Sequence, residues 1–178
     1  MAAYGGKDLA SAFRTVRKNT IQVAEDIPES KYGFVAAPEV RSVARMLAHV
    51  AISTRIFEGV HKKGLKTLVG FDFFGMMDRF NAEEAKTRSK AEILELLRTE
   101  GEQFAAWMET LTPKILEETV TEPDGKTAKS RFERLLGAKE HEMHHRAQLM
   151  LIERQLGIVP HLTRQFNERA AQMRAARA

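Results

Sequence analysis

His141 and His145 stand four residues apart in His141-Glu142-Met143-His144-His145-Arg146-Ala147-Gln148. On a helix that spacing projects both rings from one face, one turn above the other. Two imidazoles so placed can reach one ion at the ~2.0–2.1 Å of a Zn–N bond. The pair also lies on an apolar line, with Ala138 one turn before it and Leu149 and Ile152 after it, so both rings are expected to point inward. Burying two imidazoles is costly unless something satisfies their nitrogens, and a divalent metal would do so.

His49 is the expected third ligand. It lies between Met46 and Ser53, on the flank of a Val43–Leu47–Val50 stripe, and the small Ser53 leaves room one turn on. An inward histidine taken alone is more often a hydrogen-bonded core residue; beside the His141/His145 pair a ligand becomes the better expectation. Three neutral imidazoles on two facing helices make an open site, with positions left for water or substrate. In such a site Glu142 or His144 would move a proton, and Arg146 would meet an anionic substrate group. The competing reading for Glu142 and Arg146 is exposed ion pairing, and for His144 a place at a helix interface or the pocket edge. Gln148 is either an ordinary polar helix residue or a partner that holds a ligand ring. His61 and His161 read as surface or capping residues.

The same stretch matches His-Glu-x-x-His, the zinc-protease signature whose glutamate activates water. Its extended form needs a glycine where Gln148 stands and a histidine where Leu151 stands. Glu168 could complete another protease subfamily's ligand set, but no neighbouring strand is apparent to align a peptide.

Four segments with helical periodicity must position these groups. In the first, Leu9, Phe13, Val16, Thr20, Val23 and Ile27 recur at steps of three and four until Pro28. The second carries Val43, Leu47, Val50, Thr54 and Phe57, with Pro38 suited to its first turn and Gly59 and Gly64 at its end. The third opens at Asn81 or Ser89, each followed three residues later by glutamate as a capping box requires, and runs through Ile93, Leu97, Phe104, Met108 and Leu111 to Pro113. The fourth starts near Ser130–Glu133 and presents Phe132, Leu135, Ala138, Leu149, Ile152 and Leu156 before Gly157. A shorter fifth helix after Pro160 would use Leu162, Phe166, Ala170 and Met173. Between Thr119 and Gly125 a small hairpin or irregular loop is expected. The apolar connection from Lys62 to Phe80 is too long to be an ordinary loop; it reads as a flap over a pocket, a dimer surface or a packed crossover.

The 178 residues suit one domain over 1–178. No apolar run approaches the ~20 residues of a membrane span, and residues 1–8 lack the apolar core of a secretory signal. These features fit a cytoplasmic protein with no membrane partner. Cysteine is absent, so any reacting thiol must come from outside the chain. The net charge of +4 and pI of about 9.4 are weak grounds for a nucleic-acid partner. Arg164, Arg169, Arg174 and Arg177 thicken the positive charge near the end, where a phosphate-contacting tail competes with a solvated helix end that favours cations.

Three places resemble the DinB-like family of bacterial damage-inducible proteins, which includes YfiT-type metal-dependent enzymes. They are Ile27-Pro28-Glu29-Ser30, the segment Ser42–Val50 around His49, and His141–Leu149 with Gly157 and Pro160 beyond. The resemblance spans roughly residues 8–165. It implies an all-α four-helix bundle of up-down-down-up connectivity, with the short fifth helix added. It further implies a divalent metal on the residues matching His49, His141 and His145, zinc or nickel first and iron or manganese next, and a homodimer. Glu142 belongs to that family's motif too. Ala147, where many members have glycine, is a departure.

The chemistry expected of such a site is activation of a thiol or water for attack on a small electrophile. That would make the chain a metal-dependent thiol transferase or hydrolase with a small-molecule substrate, using an external low-molecular-weight thiol in the first case. Some relatives in the family are thought to be thiol-dependent transferases. The rival class is a non-catalytic, metal-stabilised stress protein, which a fourth protein ligand would favour. Nucleic-acid binding, the third class, predicts a strong salt dependence.

Overall fold

The structure, a computed structural model, describes residues 4–177. It is mostly helical, and four helical rods form a bundle. The first is α1 (Gly6–Asp26); the second is broken into α2 (Val43–Ile52) and α3 (Thr54–His61). The third rod is α5 (Lys90–Glu109) and the fourth α7 (Arg131–Gln155), while α4 (Phe73–Glu84), α6 (Pro113–Glu117) and α8 (His161–Ala175) lie between or after them. The hairpin β1 (Thr119–Thr121) and β2 (Ala128–Ser130) pairs antiparallel across the turn at Asp124-Gly125, where Gly125 supplies a left-handed φ of 69°.

Long-range contacts fix the directions of the rods. Lys90 bonds to the carbonyls of Glu25 and Ile27 while Arg14 reaches Glu102, so α1 and α5 run antiparallel. Arg17 meets Glu142 and Tyr4 meets Phe132, so α1 and α7 run parallel. His49 faces His141 and Gly137 lies under the Phe57 ring, so the second rod opposes α7. The result is up-down-down-up, as the resemblance implied.

The apolar stripes carry the packing. Leu9, Phe13, Val16, Thr20 and Val23 are all buried on α1, and Ile27 takes an extended conformation before Pro28. Phe13 and Phe104 meet edge to face at 5.0 Å; truncating either to alanine would cost roughly 3–5 kcal/mol, the usual range for a buried phenyl ring. Ser89 opens α5 with a complete capping box. Asn81 opens nothing: it lies inside α4, whose cap is Asp72. Pro38 precedes α2 by too far to start it, and Ser42 caps that helix through the Arg45 N–H. The second rod breaks at Ser53 because the Val50 carbonyl is taken by the Ser53 hydroxyl at 2.9 Å and the Arg17 guanidinium at 3.2 Å. Side chains inserted into the helical ladder bend it in this way.

The 62–80 connection is a packed crossover. Leu68 N–H donates to Thr121 and Thr121 N–H to Lys66, laying this segment against the hairpin over Val60, Leu68 and Val120. It then enters α4, whose buried residues are Phe80 and Glu84. Phe73 and Phe74 stay exposed. His61 and His161 are not surface residues. His61 is buried against the Arg131 guanidinium, and His161 is buried with Nε2 on Asn19 Oδ1 at 3.2 Å. Both follow from neighbours distant in sequence. No helix among the described residues is long and apolar enough to cross a membrane.

Candidate metal centre

Helix α2 carries His49 in its buried stretch, and α7 carries His141 and His145 one turn apart on the side facing it. The His49 ring centroid lies 5.0 Å from that of His141 and 4.7 Å from that of His145. One ring nitrogen from each falls within 4.8 Å of the other two. Tetrahedral ligation at 2.0–2.1 Å asks for about 3.3 Å between neighbouring nitrogens, so one ion fits with shifts of an ångström or so. The closest pair, His49 Nε2 and His141 Nε2, is 3.0 Å apart.

Hydrogen bonds set which nitrogen is free. His49 Nδ1 lies 2.9 Å from Glu84 Oε2, which can only accept, so Nδ1 carries the proton and Nε2 presents its lone pair inward. His145 Nδ1 sits 2.8 Å from Gln148 Oε1, which fixes the same tautomer. Gln148 is therefore a partner that holds the His145 ring. His141 Nδ1 is buried without a partner among the described residues. Burial, reinforced by the Arg41 charge, pushes His49 down to about 4 although Glu84 opposes it. Burial and the two neighbouring imidazoles push His141 down to about 4, and burial lowers His145. All three rings are neutral at pH 7, which is the form that binds metal. Three ring nitrogens that face one another, two of them with the lone pair fixed inward, suit a divalent cation.

Glu84 was not visible from the sequence as part of this site. It lies at the last turn of α4 with its carboxylate wholly buried, clamped by Arg41 Nε at 2.8 Å and an Arg45 terminal nitrogen at 3.1 Å. Burial alone would raise this carboxyl, but Arg41 and His49 together outweigh it and hold the group below its ordinary range. Carboxylate–histidine–metal relays of this kind orient the ring and raise its basicity. Phe80, one turn earlier, packs its edge on His49 at 5.2 Å. The available signal was Met77–Phe80–Glu84, a helical stripe with an acid on its inward side.

Glu142, His144 and Arg146 are not gathered with the three histidines. Glu142 is 1% exposed and turns toward α1, where both oxygens are engaged by Arg17 at 2.9–3.0 Å. Arg17 spends its other donors on Leu97 and Val50 carbonyls, and Gly101 makes room for it, since a Cβ there would meet Arg17 Cγ at 2.8 Å. The pair is buried rather than exposed because α7 rotates residue 142 by about 100° from residue 141. Arg146 follows on that face, half-buried, reaching the Val16 carbonyl at 3.4 Å. His144 is exposed at the rim, its ring 5.0 Å from that of His145 and its Nε2 3.3 Å from the Gln148 amide.

A profile of the DinB superfamily matches residues 12–149. The chain belongs to that superfamily. The DinB chain is 26% identical over 151 residues to the uncharacterized protein YjoA of Bacillus subtilis, covering 84% of this chain and 89% of that one. The crystal structure of YjoA, described as DinB-like, superposes with a TM-score of 0.63 at 23% identity over 84% of this chain and 91% of that one. YfiT from Bacillus subtilis gives a TM-score of 0.68 at 17% identity over 89% and 91%; that protein is described as a probable metal-dependent hydrolase with an unusual four-helix bundle topology. At these identities the two structures speak to the fold.

Proposed function

We propose that this DinB protein is a metal-dependent enzyme acting on a small electrophile, by hydrolysis or by transfer of an external thiol. The observation that carries the reading is the three-histidine group: two rings fixed with Nε2 inward, and no fourth protein ligand joining them among the described residues. A site of three protein ligands keeps a position for a reacting molecule, whereas a structural site closes with four. A divalent cation held by His49, His141 and His145 would lower the pKa of a bound water or thiol and so supply a nucleophile near neutral pH. Glu84 keeps His49 in its ligating tautomer, Gln148 does the same for His145, and Phe80 shields the His49 side from water. His144, exposed beside His145, is placed to pass a proton between the site and solvent. The description of YfiT as a probable metal-dependent hydrolase supports the reading, and the absence of cysteine means the chain supplies no nucleophilic thiol of its own. Three imidazoles accept zinc, nickel, iron or copper, with availability deciding among them; zinc or nickel is the ion proposed.

The test is metal analysis of protein purified without a histidine tag, with a hydrolase and thiol-transfer screen on the same sample. One divalent ion per chain is expected, lost in His141→Ala together with any activity. Retention of stoichiometric metal by that variant would remove the site.

A further inference from the structure

Arg41 and Arg45 hold Glu84 with only part of their hydrogen-bonding capacity. Arg41 uses Nε and Arg45 one terminal nitrogen, both on the single atom Glu84 Oε1. Their side chains are 35% and 53% exposed, unlike the wholly buried carboxylate they meet. Each guanidinium carries five donors in a planar fork suited to carboxylate and phosphate, so most of that capacity is left without a protein partner among the described residues. The other oxygen of the same carboxylate, Glu84 Oε2, meets His49 Nδ1 at 2.9 Å, so a single carboxylate separates both guanidiniums from the first ring of the cluster. The charge balance is lopsided as well. One carboxylate faces two guanidiniums, and a divalent ion would widen the surplus. Glu142, the other buried acid of this region, is already neutralised by Arg17. A partly enclosed surplus of positive charge attracts an anion.

We propose that Arg41 and Arg45 form the oxyanion-binding side of the metal centre, so that the substrate carries a carboxylate or phosphate next to the group that reacts. This rests on the metal-centre reading and names its substrate class. Arg41 and Arg45 then have two duties: inward they fix Glu84, and through it His49; outward they receive the anion. Arg146, the residue the sequence offered for that role, faces α1 instead.

Cobalt-loaded protein titrated separately with acetate and with inorganic phosphate tests the assignment, read by the visible spectrum and by calorimetry, with metal content measured for every sample. Saturable one-to-one binding is expected, and whichever anion binds more tightly identifies the substrate's charged group. Arg45→Gln should raise the Kd about tenfold, the value of one charge-assisted hydrogen bond. Arg41→Lys, which keeps a donor for Glu84 and loses the fork, should do likewise, and Arg98→Gln, remote on α5, should do nothing. An anion Kd within twofold of wild type in both Arg45→Gln and Arg41→Lys, at saturating metal, overturns the proposal, as does failure of wild type to bind either anion. Should wild type take up no metal, the reading of the site fails separately. The same titrations on metal-free protein, followed by histidine ring-proton NMR, then judge the two arginines by the same ranking of variants.

Discussion

Replacing Glu153 by glutamine is expected to flatten the dependence of stability on pH between about 4.5 and 7. Glu153 lies on α7 where it meets α1 and α8, with no exposed surface and, among the described residues, no hydrogen-bond partner for either carboxylate oxygen. An ionised carboxylate in such a place is strongly disfavoured. Burial, with Asp26 of α1 adding repulsion, pushes its pKa from 4.5 up to about 7, while Arg164 of α8 and Arg154 of α7 pull the other way. The native state therefore keeps a proton that the unfolded chain releases near 4.5. The stabilisation from this raised pKa is fully present below about pH 4.5 and is lost as the pH climbs through about 7. At 1.36 kcal/mol per pH unit the interval corresponds to about 3 kcal/mol.

Glutamine keeps the shape and carries no charge. Its buried amide has its own desolvation cost, but that cost does not change with pH, so the informative quantity is the slope. Urea unfolding at pH 5, 6, 7 and 8 should show wild type losing about 3 kcal/mol relative to Glu153→Gln across the series. His161, buried nearby with Nδ1 unpartnered and its pKa lowered by burial, has the opposite sign and loses stability as pH falls. It is present in both proteins and cancels in the difference. Parallel stability curves for the two proteins would refute the reasoning, because they would mean that Glu153 is ionised or protonated alike in both states.

Two further substitutions separate the metal centre from the scaffold. Glu84→Gln keeps an acceptor for His49 but removes the charge that Arg41 and Arg45 clamp, so metal affinity should fall 10–100-fold in chelator competition; unchanged affinity would make Glu84 a spectator. Glu142→Gln strands Arg17 as an unpaired buried charge and should cost about 3–5 kcal/mol of stability in denaturant unfolding, with metal stoichiometry intact. Loss of metal without loss of stability would instead return Glu142 to the metal site.

The sequence displayed what periodicity encodes. Steps of three and four placed the buried faces of α1, α5 and α7, and the i, i+4 spacing put His141 and His145 on one side of α7. It was silent where a residue's surroundings come from elsewhere in the chain. His61 and His161 carry no local mark of burial; they are buried because Arg131 and Asn19 arrive from other elements. Glu84 read as part of a helix start because Asn81 stands three residues before it, a pattern equally consistent with a mid-helix acid. Only the packing of α4 on α2 shows that Glu84 faces His49. The break at Ser53 was hidden likewise, since the Arg17 guanidinium that helps to cause it comes from another helix.

Glu142 shows the limit most sharply. In His-Glu-x-x-His the spacing is the same whether the glutamate activates water or anchors a helix, and one turn of α7 offers it both directions. What decides is the partner waiting on the other side. Arg17 is buried at 4% exposure with its donors shared among Glu142, Leu97 and Val50, and it occupies space that Gly101 leaves open. Such a cation needs a buried anion within reach, and Glu142 supplies it. The two faces of α7 thereby divide the work: His141 and His145 look toward α2, while Glu142, Arg146 and Glu153 look toward α1. A glutamate held by Arg17 is not available as a base, so in the proposed enzyme proton movement would fall to groups on the histidine side, with His144 the exposed one.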